Sequence, residues 1–116
     1  MTFRDIVEKY QELKIYEERR READYEELVF YKSEMQEWQR VFDDFFGPAK
    51  KPAGQKPSMD DLALTRDHGG ITPSQTLYQK EVEQGTVLAM FWPWQDGLHC
   101  TLKVIFRDNE SELKEA

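Results

Sequence analysis

A nucleophile and a base, Cys100 and His99, stand side by side in the sequence. Nucleophilic catalysis needs the thiol and the imidazole within hydrogen-bond reach of each other. Successive residues of a strand point to opposite faces, so this pair diverges if the segment is extended. Cys100 then reads as a small core residue. It is the only cysteine of the chain, which rules out an intrachain disulfide and suits a reducing, cytoplasmic compartment.

Asp60, Asp61, Asp67 and His68 are metal-ligand types, but their spacing matches neither a zinc nor an EF-hand pattern. No metal or other cofactor is expected. Gly-rich phosphate loops, Cys-x-x-Cys and His-Glu-x-x-His are absent from the sequence, and the chain is expected to be non-enzymatic. Lys50, Lys51 and Lys56 could touch phosphate, although their Pro/Gly-rich surroundings suit a solubilising connector better.

Binding chemistry is concentrated near the C-terminal end. Leu88, Met90, Trp92, Trp94, His99 and Ile105 fall on one side of two alternating strands, and so much apolar surface is unusual in water. Trp and Met are enriched where partners dock. The face is either covered by Met59, Leu62, Leu64 and Ile71 of the preceding segment, stacked on a second copy, or open to a ligand or peptide. Single-stranded bases also stack on aromatic sheet faces, but such faces are ringed by Lys and Arg. Within the middle of these strands, Lys103 is the only basic residue that this register places there.

Charge points the same way. The net charge is −7, with 13 acidic and 8 basic side chains in residues 1–46. Such a chain is repelled by phosphate backbones and anionic lipid heads, so nucleic acid and membrane are disfavoured as partners. Met1-Thr2-Phe3-Arg4-Asp5 carries no apolar signal core, and no apolar run approaches membrane-spanning length.

The elements that must position these residues follow from periodicity. Thr2 to Phe46 contains neither Gly nor Pro and is rich in Glu, Arg, Lys and Leu, which predicts one long charged amphipathic helix over 1–46. It would be roughly 65 Å long at 1.5 Å per residue. Thr2 and Asp5 offer a capping box, and Gly47-Pro48 a stop. Leu28, Tyr31, Met35, Trp38, Phe42 and Phe45 recur at coiled-coil spacing and should lie on the sheet. Phe3, Ile6, Val7, Tyr10 and Leu13 would then be remote from the sheet and free to pair with a second chain, which predicts a homodimer.

Residues 47–74 read as a Pro/Gly/Lys-rich linker with a short helix at 58–64 capped by Ser58. Residues 75–107 read as a three-stranded antiparallel meander. Asp96-Gly97 signals a tight hairpin that sets Pro93 opposite Cys100 and Phe91 opposite Leu102. Gln84-Gly85 signals a second, setting Val82 opposite Val87 and Tyr78 opposite Phe91. Residues 108–116 form an acidic tail. The expected fold is α+β, a long N-terminal helix packed on a three-stranded antiparallel meander. The expected function is self-association, with ligand or peptide binding on the Trp92/Trp94 face as the alternative.

Overall fold

The sheet has five strands, not three, and the first two come from the segment read as helix. The computed structural model describes residues 2–83 and 85–108. Three helices, α1 (Phe3–Tyr10), α2 (Met35–Phe46) and α3 (Met59–Thr65), accompany β1 (Glu17–Arg21), β2 (Tyr25–Tyr31), β3 (Thr76–Val82), β4 (Gly85–Pro93) and β5 (His99–Asp108). Every pairing is antiparallel, in the order β1-β2-β5-β4-β3. Residues 109–116 of the acidic tail lie outside the described residues.

The long helix is therefore corrected to helix, hairpin, helix, and the coiled-coil seam dissolves. Leu28 and Tyr31 belong to β2, and Met35, Trp38, Phe42 and Phe45 to α2. Leu28, Val29 and Phe30 are all buried, and three consecutive buried residues need cover on both sides. A central strand provides that, whereas the stripe of a surface helix does not. Ion pairs fill the role that helical spacing would have given them: Arg21 reaches Glu26 across the β1–β2 ladder at 3.5 Å and Arg19 reaches Glu27 at 3.7 Å.

Both α1 and α2 lie on one sheet face. Phe3, Ile6, Val7 and Tyr10 follow the i, i+3, i+4, i+7 stripe and are buried against Phe42, Phe106 and the sheet. Leu13 packs half-buried against the same core. The premise that these residues stand apart from the sheet is thus corrected, because α1 folds back onto it. Trp38, Phe42, Phe45 and Phe46 of α2 complete an aromatic layer over Phe30, Tyr78 and Phe91. Each such side chain contributes about 1.5–3 kcal/mol on burial. Tyr10 is fully buried and donates to Glu26 Oε1 at 2.7 Å, giving a buried carboxylate one hydrogen bond.

The β4–β5 register is the one expected: Pro93 faces Cys100, Phe91 faces Leu102 and Val87 faces Phe106. Its turn is wider than two residues. Trp94 N–H donates to the His99 carbonyl, Gly97 N–H donates to the Trp94 carbonyl, and Asp96 accepts from the Leu98 and His99 N–H groups. The β3–β4 register differs by two residues, with Val82 facing Gly85 and Tyr78 facing Ala89. Gly85 is a strand residue, because any Cβ there would overlap the Arg107 carbonyl oxygen.

Two lysines fix the segment before α3. The Lys51 side chain is fully buried, with its ammonium donating to the carbonyls of Pro52 (2.9 Å), Pro73 (2.8 Å) and Gln75. Its backbone pairs with Leu77 at the edge of β3. Lys50 bridges Asp60 (2.9 Å) and Asp61 (2.7 Å) at the start of α3, and those hydrogen bonds raise its pKa, Asp61 first. Ser58 and Asp61 form the capping box of that helix.

Candidate functional site

The sheet face opposite α1 and α2 divides into a covered and an open half. In the covered half, Leu88, Met90 and Ile105 are buried with Leu77 and Ile71, with Leu64 and Tyr25 packed against them. Met59 and Leu62 do not take part and are 86% and 46% exposed. Trp92 is half-buried beneath Lys103, whose ammonium sits 3.5 Å from the ring centroid and also donates to the His68 carbonyl. Gly69 fits against that ring at φ +97°, where a Cβ would strike the indole. Burial pushes the Lys103 ammonium and the His68 imidazole below their ordinary pKa values.

At the hairpin end of the same face, rings gather from three parts of the chain. His99 packs against Trp94 and Tyr16 at 4.7 Å each and against Tyr31 at 5.4 Å, while Tyr16 meets Tyr31 edge-on at 5.1 Å. Trp94 Nε1 donates to Thr101 Oγ1 at 2.8 Å, and the Arg19 guanidinium lies 5.4 Å from the Trp94 centroid. His99 Nδ1 meets Asp96 Oδ2 at 2.6 Å. The His99 hydrogen bond, followed by the backbone N–H donors, holds Asp96 below the usual carboxylate range. Tyr16, Tyr31 and Leu98 remain 49%, 44% and 63% exposed.

Of the residues expected on an open face, only Trp94 and His99 reach this patch. Tyr16, Tyr31 and Arg19 escape a helical reading of residues 2–46. The signal that could have found them is the short continuous apolar run Leu28-Val29-Phe30-Tyr31, the pattern of a strand covered on both faces. Arg19 and Arg20 do bring two further cations to the face. Both are bound by carboxylates, Arg19 by Glu17 and Arg20 by Glu22 at 2.8 Å each. A phosphate strand would have to displace those partners. Of the other phosphate candidates, Lys50 and Lys51 are held by the contacts described above, and Lys56 is exposed.

Cys100 and His99 do point to opposite faces. The thiol is buried in the helix-side core and burial pushes it up to about 12, far from a reactive thiolate. Asp61, one of the metal-type residues, is engaged by Lys50 and Ser58.

On the helix side, a groove of about 680 Å³ runs between α1 and α2. Val41 and Phe45 form its floor, and Asp5, Glu8, Lys9, Glu12 and Asp44 its rims. Among the described residues, no helix is long and apolar enough to cross a membrane. Comparison with protein-family models, with curated proteins and with solved structures finds no match.

Proposed function

We propose that this chain is a non-enzymatic interaction protein that self-associates through the Tyr16–Tyr31–Trp94–His99 patch. The observation that carries this reading is the clustering of exposed Tyr16, Tyr31 and Leu98 around two further rings at one end of the sheet. Tyrosine and tryptophan dominate the centres of protein interfaces.

Local neutrality permits a second copy to approach at this patch. Two chains of net charge −7 repel one another, and they approach most easily where the surface is locally neutral. Tyr16, Tyr31 and Leu98 are uncharged, and Arg19 is balanced by Glu17. The buried, unpaired Cys100 supports a reducing, cytoplasmic location for such an assembly. The alternative, ligand or peptide binding on the Trp92/Trp94 face, is less favoured because Lys103 and Gly69 occupy the Trp92 ring.

Size-exclusion light scattering from micromolar to millimolar protein tests the proposal. The expected result is a mass that rises with concentration for the wild type and stays monomeric for Tyr16→Ser/Tyr31→Ser. A wild type that stays monomeric throughout, or a double variant that associates equally well, would remove it.

A further inference from the structure

The groove between α1 and α2 has no role in that association, and its lining has a distinct chemistry. Its floor is apolar, formed by Val41 and the Phe45 ring of α2. Asp5 and Glu8 on successive turns of α1, with Glu12 just beyond, follow one rim, and Asp44 stands on the other. Asp5 also accepts from the Thr2 N–H at 2.7 Å as part of the helix cap. Glu8, Glu12 and Asp44 have no ion-pair partner among the described residues, whereas the carboxylates Glu17, Glu18 and Glu22 around β1 each hold an arginine. Lys9 offsets only part of the rim charge.

Carboxylates facing one another across a groove repel, and a bound cation turns that cost into attraction. The chain itself places an ammonium on this floor residue, since Lys80 Nζ lies 5.5 Å from the Phe45 centroid.

We propose that this groove docks a cationic amphipathic helix of a partner protein, apolar side chains entering over Val41 and Phe45 while lysines or arginines meet Glu8, Glu12 and Asp44. A helix fits because the two walls are themselves helical segments and leave a trough for a third. Asp5 and Glu8 on successive turns of α1, with Glu12 in the turn that follows, set a row of carboxylates along one rim for cations on one side of a facing helix. An extended basic strand would present alternate side chains away from the rims. Nucleic acid and anionic lipid are excluded from the groove by its sign.

The test uses the full chain and a fluorescein-labelled peptide of leucine and lysine only, with lysines at i and i+4 flanking a leucine stripe. A scrambled peptide of the same composition serves as control. Fluorescence anisotropy should show the amphipathic peptide binding the wild type and binding Glu8→Gln/Glu12→Gln at least ~10-fold more weakly, the loss of two charge contacts. Asp24→Asn/Asp67→Asn, which changes net charge equally at exposed residues that do not line the groove, should leave affinity unchanged. Val41→Lys should weaken binding, because its ammonium would repel the peptide's lysines at the groove. Equal weakening in both charge variants, equal binding of the scrambled peptide, or no binding to the wild type would overturn the proposal. The four altered carboxylates are surface residues, and an unchanged circular dichroism spectrum confirms that each variant is folded.

Discussion

The buried polar contacts of Tyr10 and Lys51 tie distant segments to the sheet. Tyr10→Phe would keep the ring packing and leave Glu26, already without a hydrogen bond on Oε2, with none at all. The expected loss is about 1–3 kcal/mol in urea unfolding. Lys51→Met keeps the stem and strands three carbonyls, and should cost at least ~2 kcal/mol by the same measurement. Asp61 supplies a pH signature. Burial favours its protonated form, but the Lys50 ammonium and the Ser58 donors outweigh that and hold its pKa below 3.8. The unfolded chain then takes up this proton first, so the contribution is complete above 3.8 and is lost as pH falls through the lower folded value. Asp61→Asn should flatten the acid limb of a plot of stability against pH, and an unchanged limb would mean that Asp61 is not a source of it. At this scale the sequence is informative about Cys100, whose separation from His99 follows from strand alternation alone. It is silent on Lys51, because three backbone carbonyls leave no trace in composition.

Among the elements, β1 is an edge strand that looks helical. Glu17-Glu18-Arg19-Arg20-Arg21 has strong helix propensity, and Glu–Arg pairs serve a helix face or a strand ladder equally well. Tertiary context decided, since β2 needed a neighbour on each side. Its charges and the bulge between Glu18 and Arg20 also guard the open edge against further strands. The β4–β5 hairpin was legible because two alternating strands and a turn signal agree on one register. The β3–β4 register slipped because a glycine marks both turns and close approaches, and Gly85 is the second kind. Gly85→Ala should therefore cost about 1–3 kcal/mol, the range for overpacking, and speed hydrogen exchange at the Thr86–Arg107 rungs of the ladder. A stability within error of the wild type would show that β4 and β5 are not in such close contact.

For the whole molecule, the −7 charge separates the two proposed surfaces. Added salt screens the repulsion between copies, so self-association through the neutral aromatic patch should strengthen slightly. Salt should weaken a cationic helix in the acidic groove. Opposite salt dependences in one protein would be hard to obtain from a single site. Neither surface was legible as such in the sequence. The patch joins Tyr16 and Tyr31 to Trp94 and His99 across a sheet whose first hairpin was hidden, and the groove exists only because α1 folds back beside α2. The central claim is tested most directly by following backbone amide chemical shifts as the protein is concentrated. Shifts that move at Tyr16, Tyr31, Leu98 and His99, with those of Glu8, Val41 and Phe45 still, are the predicted result. Shifts confined to the α1–α2 groove, or none up to millimolar protein, would contradict it.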